Sequence, residues 1–312
     1  MMHRGWSLGV FAVAFGLSLA AHAGSVRSDG QSIYRPTGKG YGELDNSPGA
    51  AERAAKAARP KTSSNGISYH GGPVMTSASG VNVYYIWYGN WSGNNAPSIL
   101  TTLATGLGGS PYFNINTTYY DGSGRKVTNA VNLSTNQITD NYSQGTALSD
   151  AQVQSVVSNA ISSGRLPADS NAVYFVLTSA DVNETSGFCT QYCGWHNKAA
   201  MAGTTIKYSF VGNPDRCPSA CAAQTTSPNG NAGADGMASI IAHELEEAAS
   251  DPELNAWYDT RGYENADKCA WTFGAEYTTS NGAKANMNLG GLDFLIQQNW
   301  VNASGGYCAL KF

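Results

Sequence analysis

Cysteine is missing before position 189, charge is scarce throughout, and only one long apolar run occurs in this chain. Asp, Glu, Lys and Arg make up 13% of the residues, with a formal net charge of -4. That is about half the usual charged fraction. No Lys- or Arg-rich stripe breaks this background, which argues against nucleic acid as a partner. The apolar run, Gly9 to Ala20, is shorter than the roughly 20 residues that span a bilayer, which argues against a membrane span. It follows Arg4 and precedes the small-x-small site Ala21-His22-Ala23, so residues 1–23 read as an export signal. The expected location is extracellular, with periplasm or cell wall as the alternative.

All six cysteines are present in the C-terminal half: Cys189, Cys193, Cys217, Cys221, Cys269 and Cys308. An even count in an exported chain points to disulfides, and oxidising export disfavours a thiolate zinc site. The two Cys-x-x-x-Cys pairs suggest local bridges, Cys189 to Cys193 and Cys217 to Cys221. Cys269–Cys308 would then staple the C-terminus.

Residues 24–66 are rich in Gly, Pro and Ser and read as a flexible leader or pro-segment, with one short Ala-rich helix over Ala50 to Ala58. Residues 67–312 read as a single α+β domain with a disulfide-stapled C-terminal half. Val81 to Gly89 is β-branched, aromatic and bounded by glycine, as a buried strand is. Pro97 to Leu107 reads as a helix, and Tyr112–Tyr120 and Lys126–Leu133 as strand-like pieces. Ser149 caps a second helix that ends at Gly164. Ala172 to Thr178 reads as a central strand, Thr205 to Val211 as an edge strand, and Gly236–Ala249 as an amphipathic helix.

That last helix contains His243-Glu244-Leu245-Glu246-Glu247. Successive residues turn by about 100°, so His243 and Glu247, at i and i+4, project from one face. Two side chains so placed can grip one metal ion, with Glu244 as general base. A surface i,i+4 pair is the plainer alternative. Glu246 points elsewhere and is expected in solvent. Tetrahedral zinc needs a third protein ligand. Asp251 lies roughly 12 Å along the axis from His243, too far to serve. Glu264 and Asp267, held near Cys269, are better placed: one would bind metal and the other orient the free ring nitrogen of His243. Zinc is the expected ion; calcium, manganese and iron also suit a carboxylate-rich set. His196 lines the cleft, stabilises an oxyanion or, as the plainer reading, makes a structural hydrogen bond; His70, before a Gly-Gly-Pro turn, has the same plainer reading.

Several separated blocks resemble one known family. "YHGGPVM", "VNVYYIWYGNW", "VYFVLTSADV", "GFCTQYCGWH", "YSFVGNP" with "CPSAC", and "GADGMASIIAHELEEAASDPELNAWY" are similar to the phosphate-induced protein 1 family, also called Exordium proteins. The resemblance runs from about residue 67 to 312 in unbroken order. It implies a secreted protein associated with cell wall or matrix and, in plants, with growth and cell expansion. The family's Glu-Ile-Gly-Asp-x-Cys block falls on Glu264 to Cys269, keeping both carboxylates. Its Asn-Met-Asn-Gly block falls on Asn286 to Leu289, where the Gly is lost. The best-known plant members lack the His-Glu-x-x-Glu residues, whereas members that keep them look similar to zincin-type metallopeptidases. The resemblance thus implies a single zincin-like domain, a mixed sheet packed on an active-site helix.

Two functions follow as expectations. One is a metal-dependent peptidase or hydrolase using His243, Glu247 and Glu264, with Asp267 as a fourth ligand or support and Glu244 as base. The other is a non-catalytic protein that binds wall or matrix components. Trp87, Trp91, Tyr119 and Tyr120 could stack on sugars there, although most such aromatics are buried.

Overall fold

The computed structural model describes residues 66–312 and, before them, the backbone of Ser25–Ser28 and Gln31–Tyr34, which pair as an antiparallel hairpin. The signal sequence and the helix expected at Ala50 to Ala58 lie outside the described residues.

A mixed sheet forms the centre. In chain order its strands are β1 (Val81–Tyr88), β2 (Val131–Leu133), β3 (Ile138–Asp140), β4 (Ala172–Thr178), β5 (Gly194–Met201) and β6 (Thr204–Val211). Across the sheet the order is β5-β6-β4-β1, and β2 and β3 share the far edge against β1. All neighbours are parallel except β5, which runs antiparallel to β6. Every residue of β4 is buried, as expected of a strand covered on both faces.

Three helices cover the sheet: α1 (Ala96–Leu107), α2 (Asp150–Ser162) and α3 (Ala232–Ser250). The two-residue period of strands decides which face each covers. Phe175 and Ser209 are register partners, as are Ser209 and His196, and this row faces α1 and α3. Tyr85, in the same row, donates to the Leu100 carbonyl of α1 at 3.3 Å. One residue away, Tyr208 donates to Gln154 of α2 on the opposite face.

Helix α3 is central rather than amphipathic. From Met237 to Ser250 every residue is buried, because the C-terminal segment covers the side turned away from the sheet. There the Gln297 N–H donates to the Ser239 hydroxyl, and Asn299 donates to the Glu246 carboxylate. The helix also begins earlier than Gly236. Asn231 caps it by accepting from the Ala234 N–H. Gly233 and Gly236, which discourage a helix assignment, make room for Asn213, Pro214 and Asp215: an added Cβ would lie 2.3 Å from Asn213 Oδ1 and 2.8 Å from Pro214 Cγ.

Three other expectations are corrected. Phe113–Thr118 is a 3-10 helix started by the Ser110 hydroxyl, although its aromatic and β-branched residues look like a strand. β6 is internal, and the edge strand is β5, whose Gly, His, Asn, Lys and Ala residues have little strand propensity. The cysteines of each Cys-x-x-x-Cys pair bond across, not within: Cys189–Cys217 and Cys193–Cys221, with Cys269–Cys308 as expected. Cys217 and Cys221 flank one helical turn and so face the same partner segment together. Trp87, Trp91 and Tyr119 are buried, leaving only Tyr120 of the four proposed sugar platforms exposed. Among the described residues no helix is long and apolar enough to cross a membrane.

Candidate metal centre

Three segments meet at the C-terminal half of α3. The helix supplies His243 and Glu247, whose Nε2 and Oε1 are 3.1 Å apart, as their i,i+4 spacing dictates. Strand β5 supplies His196. Its face is fixed by the register of β5 on β6, and by Gly194 two residues earlier, which allows the strand to lie close on α3. A Cβ at Gly194 would fall 2.5 Å from Ile240 Cγ2 and 3.0 Å from Glu244 Oε1. The third segment is the turn that follows Tyr263, which supplies Glu264 and Asp267.

That turn is built by local polar contacts. The Asp259 carboxylate accepts from the backbone N–H of Arg261 and Tyr263, and the Glu264 N–H donates to Asp267 at 3.2 Å. Asn265 ties the turn to α3 by donating to the Glu246 carbonyl at 3.1 Å. The Asp267 N–H donates to Glu247 Oε1 at 3.0 Å. Cys269–Cys308 closes the segment from the other side.

Two groups of donor atoms result, each within 4.8 Å across: His196, Glu247 and Glu264; and His243, Glu247 and Asp267. His196 Nε2 lies 3.1 Å from Glu264 Oε2 and 3.8 Å from Glu247 Oε2. His243 Nε2 lies 3.6 Å from Asp267 Oδ1. Asp267 therefore shares the nitrogen that Glu247 meets and does not orient the opposite one. His243 Nδ1, His196 Nδ1 and Glu264 Oε1 are buried with no hydrogen-bond partner among the described residues. Of these, Glu264 Oε1 belongs to a carboxylate of the cluster itself, and such an orphaned atom is costly unless something binds there.

The electrostatics follow from crowding. Burial opposes charge on His243, but the Glu247 carboxylate, with Asp267, outweighs it and holds the imidazolium well above the ordinary histidine range. Burial likewise opposes charge on Glu247, yet His243 keeps it below its usual value. His196 is pushed down to about 4 by burial, against the pull of Glu247. Burial, then repulsion from Glu247, raises Glu264 well above and Asp267 to about 7. Glu244 is raised well above its usual value by burial, only partly offset by His243. These shifts have the sign expected of carboxylates crowded around too little positive charge, and a divalent cation would relieve that crowding.

His243, Glu247, Glu264 and Asp267 come together, and Glu244 lies beside them on α3 against Gly194. His196 enters a donor group although it carried no sequence signal as a ligand; the period-two pairing with Gly194 becomes informative only once β5 is known to be a strand. Asp251 stays outside both groups, its Oδ1 accepting from the N–H of Asn255 and Ala256. His70 is exposed and stacks on Tyr258 with ring centres 3.6 Å apart. Glu246 is buried, not solvated, because the C-terminal segment covers its side of α3.

The conserved region of phosphate-induced protein 1 matches residues 67–288. Among curated proteins, EXORDIUM-like 5 of Arabidopsis thaliana is 33% identical over 273 residues, which cover 75% of each chain. EXORDIUM-like 3 of the same plant is 32% identical over 281 residues, covering 78% of this chain and 82% of its own. PHOSPHATE-INDUCED 1 of Nicotiana tabacum is 26% identical over 220 residues, covering 62% of this chain and 67% of its own. No solved structure matches the chain. The match of the conserved region to most of the described domain, together with these relatives, means that the chain belongs to the phosphate-induced protein 1 family.

Proposed function

We propose that this protein is a secreted, zinc-dependent hydrolase acting on peptide bonds, with a zincin-like arrangement of sheet, helix and downstream ligands. The observation that supports it best is the pair of imidazole–carboxylate groups sharing Glu247, with Glu244 alongside. Each group offers one nitrogen and two oxygens, a set that suits zinc, manganese or iron better than calcium, which takes six to eight oxygens. Three protein ligands also leave a coordination position open, as catalytic sites do.

When bound, the ion supplies Lewis acidity and a water of lowered pKa. Glu244 then takes a proton from the attacking water and delivers it to the leaving amine. Among the described residues β5 pairs only with β6, so its outer side has no strand partner. An extended peptide can add there by main-chain hydrogen bonds, and this favours a peptide or protein substrate. The signal-like start and three disulfides support export.

A second reading is a structural metal in a non-catalytic protein that binds wall or matrix components. The burial of the donor side chains, each 4% exposed or less, favours it, because structural sites are closed. Glu244→Gln separates the two. In the hydrolase, metal content is unchanged while cleavage of a broad peptide library is lost. A metal-loaded wild type that cleaves nothing would leave the structural reading.

A further inference from the structure

The two donor groups match in composition. One holds His196, Glu264 and an oxygen of Glu247; the other holds His243, Asp267 and an oxygen of Glu247. Each is therefore one imidazole, one terminal carboxylate and one share of a common carboxylate. The two oxygens of Glu247 also divide between them: Oε2 faces His196 and Oε1 faces His243.

One ion cannot gather all five as they stand. With metal–ligand bonds of about 2.0–2.2 Å, two ligands of one ion lie at most about 4.4 Å apart. Neither group of three donor atoms within 4.8 Å of one another contains both imidazoles. The side chains of Glu247, Glu264 and Asp267 are each 2% exposed or less, and among the described residues none forms an ion pair with Lys or Arg. The orphaned Oε1 of Glu264 supplies unspent binding capacity at the cluster.

We infer that this centre binds two divalent cations bridged by the Glu247 carboxylate, one held by His196 and Glu264 and the other by His243 and Asp267. Bridged pairs of this kind sit about 3.5–4 Å apart in hydrolytic enzymes and clamp the attacking and leaving atoms together. The inference rests on the reading that the cluster is a metal site, and it deepens that reading by fixing the number of ions and their division.

The test is metal stoichiometry on the full secreted chain. The protein is stripped with chelator, reloaded with Zn²⁺ and assayed by elemental mass spectrometry; a parallel Mn²⁺ sample is examined by electron paramagnetic resonance. Two equivalents of zinc and an exchange-coupled manganese signal are expected. His196→Ala and His243→Ala should each fall to one equivalent and lose the coupling, and Asp267→Asn should do the same. One equivalent in the wild type overturns the two-ion centre while leaving a metal site in place. No bound metal overturns both. The wild-type count decides the matter even where a variant fails to fold.

Discussion

At the scale of single residues, the protein depends on buried polar groups whose partners come from distant segments. Asn265 donates to both the Glu246 carbonyl and the Asn116 side chain. Asn265→Ala removes the donor to a buried Asn116, and leaving such a group unpaired costs about 1–3 kcal/mol. Urea unfolding should show that loss, and zinc affinity should fall with it because Glu264 and Asp267 sit on either side. Away from the centre, Asp235 lies in the first turn of α3 and accepts from Ser227 and Asn229. Burial raises its carboxyl above the ordinary value, and those hydrogen bonds only partly offset this. The folded state therefore binds this proton more tightly than the unfolded chain does. Between the ordinary carboxylate value and the raised one, stability falls as pH rises. Comparing urea midpoints of wild type and Asp235→Asn across that window should show a flatter profile in the variant; identical profiles would reject the assignment.

At the scale of elements, the approach of β5 to α3 decides whether His196 reaches Glu264 and Glu247. Gly194→Ala would place a methyl against Ile240 Cγ2 and the Phe210 carbonyl. Overpacking of this kind costs about 1–3 kcal/mol, and thermal melts should show it together with weaker metal binding. The hairpin joining β5 to β6 is a two-residue turn in which Ala202 has φ 47° and Gly203 φ 80°. Both values suit the turn that favours Asn-Gly, and an L-residue other than Asn or Asp is disfavoured at the first. Ala202→Asn is therefore expected to stabilise by about 0.5–1 kcal/mol, read as a higher melting temperature with metal content unchanged.

At the scale of the molecule, the crossed disulfides fix where the site is assembled. Cys189–Cys217 and Cys193–Cys221 each span 28 residues and clamp the approach to β5 onto the segment that leads into α3. A loop of that size corresponds to about 3–4 kcal/mol in the chain-entropy account. Replacing both members of Cys193–Cys221 by Ser should lower stability by that order and reduce metal retention, since His196 follows Cys193 by three residues. With the proposed zinc in the centre, chelation should lower the melting temperature and readdition should restore it, by linkage of binding to folding.

Much of this was readable locally. The strands Val81–Tyr88 and Ala172–Thr178, the Ser149-capped helix, and the shared face of His243 and Glu247 all follow from short-range periodicity and capping. The nearness of Glu264 and Asp267 to Cys269 also gave a usable hint, because a disulfide pins its neighbours. What stayed hidden depends on register and coverage. Whether His196 faces the helix is set by its pairing with Ser209 on β6, and nothing in residues 194–201 announces a strand. Glu246 looks like a solvent residue until the C-terminal segment covers it. The cysteine pairs look local until two segments are brought side by side. The sequence alone therefore determined the helix and the two donors it projects, because i,i+4 geometry is a property of one turn. Only the tertiary structure decided which imidazole and which carboxylates join them, because those contacts span 20 to 68 residues and are fixed by sheet register, disulfide crossing and burial.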